Sequence, residues 1–314
     1  MDNGFDVVVV GGGAAGLNAA LVLARARRRV AVVDAGDPRN APAAHMQGFL
    51  SRDGMPPDRL LEVGRAEVAG YGGVLVEDRV ERIDEGFAVH LAGGRTLRAR
   101  RVLVTTGLRD ELPDIPGLRE RWARDVLHCP YCHGYEVRDR PLGVLGESAL
   151  HLGLLLPQWS ADVVFFPHTN ELTADEREQL VARGVHITDG EVTGLVVDDD
   201  ALHGVELAGG QVVPRAALFV APRFVARDEL LAGLGAATGD DGRVVTDPTG
   251  RTSVPGVWAA GNVVDPRAQV VTAAGMGSAA AIALNADLVQ EDVQRAVAAH
   301  RRVDQKVGAA AEAG

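Results

Sequence analysis

The sequence predicts an α/β protein with two Rossmann-like dinucleotide-binding domains, the second inserted into a discontinuous first domain. Three observations predict this class. A glycine-rich turn follows the apolar run that ends at Val10, a second strand and helix pattern begins at Pro141, and a strand ending in small residues returns at 256–262. We place the first domain at residues 1–112 and 245–314 and the inserted domain at residues 113–244.

The first turn has the spacing of a dinucleotide site. Gly11 allows a tight turn, Gly13 lets the backbone approach a pyrophosphate, and Gly16 lets the following helix pack closely on the strand. The N-terminus of that helix offers free N–H groups to the phosphates. Asp34 ends the next strand, where an acid accepts a hydrogen bond from a ribose hydroxyl. A glycine turn that serves packing alone is the alternative.

Composition limits the possible partners. The 314 residues carry a formal net charge of −11, which argues against a nucleic-acid partner because such proteins cluster basic residues. No apolar run approaches the about 20 residues that span a bilayer. The N-terminus lacks a basic segment followed by an apolar one. We therefore expect a cytoplasmic protein that binds neither nucleic acid nor membrane.

Both cysteines of the chain lie two residues apart, at Cys129 and Cys132. In a reducing compartment this spacing favours a redox-active or metal-binding pair over a structural disulfide. Haem attachment would need export, and a zinc site would need a second pair of ligands. We therefore predict a redox dithiol and no metal site. His128 either packs beside it or takes part in the chemistry.

Two of the helices predicted beyond the first turn bear on the sites. One runs from Ser148 to about Trp159 after the strand at 141–146, and the other is rich in alanine and opens at Gly275-Met276-Gly277.

Three distant segments together resemble the FAD-binding signature of the two-domain thioredoxin reductase family. They are the turn at 11–16 with Asp34, the segment Thr105-Thr106-Gly107, and residues 256–262 followed by Gln269-Val270 and 275–281. The resemblance covers nearly the whole chain, and the CxxC begins the inserted domain, as it does in that family. It implies FAD as cofactor, a homodimer, and a helix N-terminus at Gly275 pointing to the flavin.

The resemblance also implies which residues contact the cofactor. They are Gly11, Gly13, Ala14, Ala15, Gly16, Asp34, Ala35, Arg39, Asn40, His45, Val80, Thr106, Gly107, Gly261, Asn262, Gln269 and Val270. The family usually has Asp where Asn262 stands, and we expect FAD to be retained because an amide also accepts a hydrogen bond from a hydroxyl.

The inserted domain departs from the family at its nicotinamide site. Its turn, residues 143–151, lacks closely spaced glycines and places Glu147 where a pyrophosphate would lie. The loop at 166–171 contains no arginine to bind a 2′-phosphate. We therefore predict an NAD(P)-type fold that is degenerate and no longer takes NADPH as its physiological reductant.

The residue after the second cysteine is a further departure. Thioredoxin reductases usually have an acid there, whereas His133 makes the segment similar to the gliotoxin- and holomycin-type thiol oxidases of natural-product biosynthesis. An imidazole with a pKa of about 6.5 is a better base for a thiol than a carboxylate. We expect a substrate thiolate to attack Cys129, Cys132 to pass electrons to the flavin, and His133 to act as general base.

The predicted function is therefore an FAD-dependent thiol oxidase that converts a small-molecule dithiol to its disulfide. Molecular oxygen is the electron acceptor and peroxide the product. The alternatives are a thioredoxin-disulfide reductase driven by NADPH or ferredoxin, and a flavin-bound redox sensor without turnover.

Overall fold

The computed structural model describes residues 4–311, except the side chains of Glu147 and of residues 303–311. Its strands are β1 (Gly4–Val10), β2 (Val30–Asp34), β3 (Val74–Glu77), β4 (Val80–Ile83), β5 (Ala88–Leu91), β6 (Thr96–Val104), β7 (Leu108–Glu111), β8 (Val126–Leu127), β9 (Leu142–Leu145), β10 (Val163–Phe166), β11 (His186–Ile187), β12 (Val192–Asp198), β13 (Ala201–Leu207), β14 (Val212–Pro214), β15 (Ala217–Val220), β16 (Arg223–Ala226) and β17 (Val257–Ala259). Its α-helices are α1 (Ala14–Arg25), α2 (Pro57–Gly70), α3 (Pro130–His133), α4 (Leu150–Leu155), α5 (Ala174–Ala182), α6 (Glu229–Gly233) and α7 (Val270–Ala311).

The chain divides into two compact units. The first comprises residues up to Pro38, Leu61–Leu108 and Ala226 onward, and the second comprises Arg39–Leu60 and Arg109–Val225. The predicted boundaries at 113 and 244 differ from these. Residues 226–244 belong to the first unit because Leu231, on α6, packs fully buried in its core.

The first unit is built on a seven-stranded sheet in the order β3-β2-β1-β6-β5-β4, with β17 also paired to β6. Strands β1, β2, β3, β6 and β17 run parallel, whereas β4 and β5 form an antiparallel extension. Apolar side chains on the two faces of this sheet form two separate buried clusters. This arrangement is the α/β class predicted from the sequence, and near-continuous apolar strands such as β1 are typical of it because both faces are covered.

Helices α1 and α7 pack against each other through small residues. A Cβ placed on Gly277 would lie 2.0 Å from the carbonyl oxygen of Ala15, so the two helices touch backbone to backbone. The prediction that α7 opens at Gly275 is wrong. The helix begins at Val270, and both glycines are interior residues of it. Gly277 permits the close approach to Ala15, whereas a Cβ on Gly275 would meet nothing within 4 Å.

The second unit contains a five-stranded parallel sheet in the order β11-β10-β9-β15-β8. Buried apolar clusters cover both faces, and Phe165 and Phe166 point to opposite sides. A three-stranded antiparallel sheet, β12-β13-β14, contributes to the second cluster. Strands β7 and β16 pair as a short ribbon. The predicted second Rossmann-like fold is therefore present.

The helix predicted from Ser148 to Trp159 is interrupted. A 3₁₀ turn spans Glu147–Ala149, α4 covers only Leu150–Leu155, and a second 3₁₀ turn spans Leu156–Gln158. Pro157 explains the break, because proline removes a backbone donor and its ring clashes with the preceding turn.

Within the described residues, Val270–Arg302 is the one helix that is long and apolar enough to cross a membrane by length and composition alone. Core helices of soluble proteins meet the same criterion, so this is weak evidence. Charged residues on the helix are paired with the first unit: Asp287 lies 2.6 Å from Arg101 and Asp292 lies 2.7 Å from Arg28.

Candidate redox site and dinucleotide turn

The dithiol lies at the start of a short helix in the second unit. Cys129 and Cys132 form a disulfide, with their Cα atoms 5.2 Å apart. Cys129 is extended (φ −116°, ψ 107°) and caps α3, and Pro130 takes the first helical position, where its missing N–H costs nothing. The amides of Cys132 and His133 both donate to the Cys129 carbonyl oxygen at 3.1 Å. One helical turn thus brings the two sulfur atoms together.

Trp159 packs against this turn at Gly134. A Cβ on Gly134 would lie 2.5 Å from the Pro130 carbonyl oxygen and 3.0 Å from the Trp159 ring, so only glycine fits there. Trp159 also meets the Tyr131 ring edge-on, with ring centroids 5.8 Å apart. The Tyr131 side chain is otherwise exposed. Trp159 therefore holds the helix that carries Cys132.

His133 is partly buried at the end of α3. Burial lowers the pKa of its imidazole, and the carboxylate of Glu136 partly opposes this by raising it. The ring is therefore neutral at pH 7 and available to accept a proton. This is the protonation state that a general base next to a thiol requires.

His128, on the other side of the dithiol, packs between aromatic rings. It stacks on Trp122 with ring centroids 5.5 Å apart, and it meets Phe224 edge-on at 6.1 Å. Burial, and to a smaller extent the charge of Arg39, lowers the pKa of His128 to about 4. It is uncharged at neutral pH and too weak a base to take a proton from a thiol there.

The first unit carries the glycine turn in the form that the sequence predicts. Gly11 has a φ of +102°, and a Cβ on Gly16 would lie 1.9 Å from the Gly11 carbonyl oxygen. Gly13 is extended and has nothing within 4 Å of where a Cβ would stand, so its backbone is open to a ligand. Ala14 and Ala15 are the first residues of α1. A phosphate can approach the helix N-terminus at this opening.

Asp34 ends β2 and braces the turn. Its Oδ1 accepts a hydrogen bond of 3.1 Å from the amide of Gly12, and its Oδ2 lies 3.5 Å from Arg65 on α2. Ala35 follows it and is exposed. Because a carboxylate has about four acceptor positions, Asp34 can brace Gly12 and still accept from a ribose hydroxyl.

Threonines connect the end of β6 to the turn. Thr105 is buried, and its hydroxyl lies 2.9 Å from the carbonyl oxygens of both Val10 and Gly11. The Thr106 hydroxyl donates to the Arg227 carbonyl oxygen at 2.5 Å, and Gly107 follows with a φ of +73°. Val80 lies on β4 with its side chain in the core.

Asn262 fixes the loop that precedes α7. Its amide nitrogen donates to the carbonyl oxygens of Asp265 and Ala268, both at 2.9 Å. Gly261, directly before it, is buried with a φ of +79°. Gln269 and Val270 follow the loop at the beginning of α7. An aspartate could not make these two bonds, since an ionised carboxylate has no donor.

Three predicted cofactor residues belong to the second unit: Arg39, Asn40 and His45. Arg39 donates two hydrogen bonds of 2.8 and 2.9 Å to Asp110, and the backbone carbonyl oxygen of Asn40 accepts from the amide of Ala43 at 3.1 Å. His45 is exposed.

The turn after β9 differs from the turn after β1. Gly146 has a φ of +89°, and its amide donates to the Phe166 carbonyl oxygen at 2.9 Å. Gly143 serves packing, because a Cβ there would lie 2.8 Å from Leu218. After β10, His168 turns back and accepts from the amide of Val192 at 2.9 Å. The side chain of Glu147 lies outside the described residues.

Comparison with known proteins identifies the family. Residues 5–278 match the family model of pyridine nucleotide-disulphide oxidoreductases. The chain belongs to this family.

Members of the family resemble the chain over most of its length. "Thioredoxin reductase sirT" of Leptosphaeria maculans is 31% identical over 92% of this chain and 96% of its own. "Thioredoxin reductase aclD" of Aspergillus oryzae is 31% identical over 82% of this chain and 88% of its own. The crystal structure of HlmI is 62% identical, covers 96% of this chain and 98% of its own, and superposes with a TM-score of 0.94. The predicted resemblance to thioredoxin reductases is confirmed.

Several residues that shape the two sites escaped the sequence reasoning. Thr105 belongs to the segment that resembles the family, but only Thr106 was predicted to contact the cofactor. The hydroxyl of Thr105 bonds the glycine turn directly, so Thr105 stabilises the site as well. Arg65 faces Asp34 from a helix without any local motif. Trp122 and Phe224 sandwich His128 from positions far apart in the chain. In this family, as elsewhere, such contacts leave no mark on the local sequence.

Proposed function

We propose that the chain is an FAD-dependent thiol oxidase that converts a small-molecule dithiol to its disulfide, with molecular oxygen as electron acceptor and hydrogen peroxide as product. The observation that carries this proposal is His133, which directly follows the redox disulfide and has its pKa lowered by burial. A neutral imidazole at that place removes protons from incoming thiols at neutral pH. A reductase of disulfides needs the opposite function in this step, an acid that protonates the leaving thiolate, and the neutral imidazole does not supply it.

The protein's own residues perform the exchange as follows. One substrate thiolate attacks the sulfur of Cys129, which breaks the Cys129–Cys132 bond and forms a mixed disulfide. His133 takes the proton of the second substrate thiol. That thiolate attacks the substrate sulfur of the mixed disulfide, so the substrate leaves as a disulfide and the protein holds two reduced cysteines. Two electrons and two protons pass from substrate to protein, because each cysteine thiolate that is released takes up one of the protons lost by the substrate thiols.

FAD, when bound, accepts the electron pair from the dithiol and passes it to oxygen. The first unit fits a dinucleotide. Gly13 leaves the turn open, Gly11 and Gly16 allow its close packing, and Asp34 retains acceptor capacity for a ribose. Gly261 and Asn262 would contact the remainder of the cofactor, as the resemblance implies.

The second unit supports an oxidase over an NADPH-driven reductase. The 3₁₀ turn after β9 and the short α4 replace the long helix whose N-terminus would bind a pyrophosphate. The loop after β10 offers His168 and Asn170 and no arginine. The relatives named thioredoxin reductase favour the reductase as the second candidate. We also propose that the protein is a homodimer and that it is cytoplasmic. Sedimentation of the purified protein tests the dimer.

An anaerobic titration separates the two candidates. We expect a stoichiometric small dithiol to bleach the flavin absorbance, and air to restore it with one peroxide formed per dithiol. NADPH at the same concentration is expected to leave the absorbance unchanged. Bleaching by NADPH and not by the dithiol would establish the reductase, and bleaching by neither would leave the redox sensor.

Two variants control this titration. Cys132→Ala should abolish oxygen uptake with a dithiol, and unchanged uptake would refute the exchange scheme. His90→Gln replaces a histidine of the first unit that bonds Asp84 and Thr96. It should retain native uptake.

A further inference from the structure

The residue before the dithiol is held in an aromatic stack within the second unit. The His128 ring lies on Trp122 at an interplanar angle of 23° and against Phe224 at 75°. The two neighbours come from positions 122 and 224, on either side of the dithiol in the sequence. The imidazole is thus in contact with two aromatic side chains.

The stack is anchored to the ribbon of β7 and β16. Phe224 lies on β16, and the guanidinium of Arg39 lies 5.1 Å over its ring. Arg39 is held by two bonds to Asp110 on β7. A chain of contacts therefore runs from the ribbon through Phe224 to His128, one peptide bond from Cys129. The ribbon also contains Arg109 and Val225, where the chain enters and leaves the second unit.

His128 acts here as an uncharged ring. Burial lowers its pKa most, and the charge of Arg39 and that of protonated His133 lower it further, while Asp110 opposes them. At neutral pH the side chain therefore carries no charge that would stabilise a neighbouring thiolate. Its contribution to the dithiol is geometric.

We infer that His128 is a positioning residue, whose stacking between Trp122 and Phe224 fixes the place of Cys129 and so the geometry in which Cys129 and Cys132 form their disulfide. Cys129 is extended and caps α3, so a displaced His128 rotates the Cys129 sulfur away from its partner. The effective concentration of one thiol towards another depends steeply on such alignment. The inference concerns the dithiol alone and holds whichever electron acceptor serves it.

Equilibration with glutathione tests the inference. In this exchange the protein disulfide and two glutathione thiols give the protein dithiol and glutathione disulfide, so electrons and atoms balance. The full-length protein is equilibrated anaerobically in glutathione buffers, quenched with an alkylating agent and weighed by mass spectrometry. We expect His128→Ala to lower the equilibrium constant for disulfide formation about tenfold. His128→Phe, which keeps a ring in the stack, should stay within about twofold of the native protein.

The controls distinguish positioning from other roles. His151→Ala, at an exposed histidine on α4 of the same unit, should leave the constant unchanged. If His128→Ala also leaves it unchanged, the inference is wrong. If His128→Phe falls as far as His128→Ala, an imidazole nitrogen is responsible and the inference is again wrong.

A second variant covers the case in which His128→Ala does not fold. Phe224→Leu removes one of the two aromatic rings that contact His128. It should also lower the equilibrium constant for disulfide formation about tenfold, and an unchanged constant overturns the inference. Because the measurement needs neither substrate nor oxygen, it succeeds or fails independently of the thiol oxidase titration.

Discussion

The turns after β1 and β9 occupy equivalent places, each at the end of a central strand of a parallel sheet, but their glycines differ in purpose. After β1, glycine is required where backbone meets backbone, as at Gly16 against Gly11, and Gly13 is left open. Around β9, Gly143 on the strand and Gly153 on α4 face buried side chains, namely Leu218 and Phe165, whereas Gly146 in the turn itself meets no atom within 4 Å. Glycine is therefore required by backbone contact in the first turn, and around β9 it is required by the core on either side of the turn.

The residues after the neighbouring strands differ in the same way. Asp34, after β1's neighbour β2, braces Gly12 and keeps acceptor positions for a ligand. His168, after β10, uses its Nδ1 to accept a hydrogen bond from the amide of Val192 in the same unit. These contacts support our proposal that the second unit keeps its parallel sheet without the nucleotide chemistry. The dithiol of the second unit lies at the start of α3 instead.

The largest expected effect is a loss of flavin binding when a methyl group is added to the turn after β1 but not when it is added to the turn after β9. Gly16→Ala places a Cβ 1.9 Å from the Gly11 carbonyl oxygen and so must displace α1 or the turn. We expect the variant to retain less than a tenth of the native flavin, measured as absorbance per protein after desalting. Gly146→Ala is the matched control. It meets no atom within 4 Å and pays only the strain of its positive φ, about 1 kcal/mol. Full flavin in Gly16→Ala, or its loss in Gly146→Ala, would contradict the comparison.

The next effect locates the chemistry of the second unit on α3. We expect His133→Gln to slow anaerobic flavin reduction by a dithiol roughly 100-fold at pH 7, because a general base contributes about 10²–10⁴-fold. Burial lowers the pKa of His133. The native rate should therefore be flat near pH 7 and fall only as the pH drops through a value below the ordinary 6.5. Stopped-flow reduction across pH 5–8 measures both, with His90→Gln as control. A variant as fast as the native protein would remove His133 from the reaction.

Features that depend on residues close together in the chain could be predicted from the sequence, whereas features that depend on distant contacts could not. The first turn was predicted residue by residue because Gly11, Gly13 and Gly16 lie within one loop and each has its own steric reason. The start of α7 was misplaced because Gly275 and Gly277 were taken as a helix opening. Both lie inside the helix, and Gly277 serves instead as a contact point with Ala15, about 260 residues away in the chain.

The stack around His128 had no sequence signal. Trp122, Phe224 and Arg39 are brought together by tertiary structure alone. Asn262 was identified as a departure from the family, but its two donated bonds depend on a loop whose backbone positions only coordinates reveal.

A smaller effect concerns stability in acid. The pKa of His128 is lowered from 6.5 to about 4 by burial. Between these values the unfolded chain binds more protons than the native protein, so native stability decreases as the pH falls from about 6.5 towards 4. His128→Phe lacks this titration and should gain about 2 kcal/mol relative to native between pH 7.5 and pH 5. Urea unfolding at the two pH values measures the change. If the free energy of unfolding changes equally between the two pH values in both proteins, His128 is not buried as a neutral ring.

The smallest effect tests whether the first unit needs an amide at Asn262. The thioredoxin reductase resemblance suggests that aspartate there would be harmless, whereas the two bonds to Asp265 and Ala268 require a donor. Asn262→Asp turns a carboxylate towards two carbonyl oxygens, and Asn262→Ala only removes the bonds, each worth about 0.5–1.5 kcal/mol. We expect FAD affinity, measured by quenching of flavin fluorescence on the apoprotein, to fall about tenfold in Asn262→Asp and less in Asn262→Ala.

Melting of the two apoproteins separates the loop from the ligand. If the loop is the cause, Asn262→Asp also melts below Asn262→Ala without FAD, because the repulsion exists before the cofactor binds. If the aspartate variant binds FAD as tightly as the native protein and melts with it, the amide is not needed for the loop. The first unit would then accept aspartate, the family's usual residue, at position 262. The contrast between the turns after β1 and β9 would in that case depend on their glycines alone.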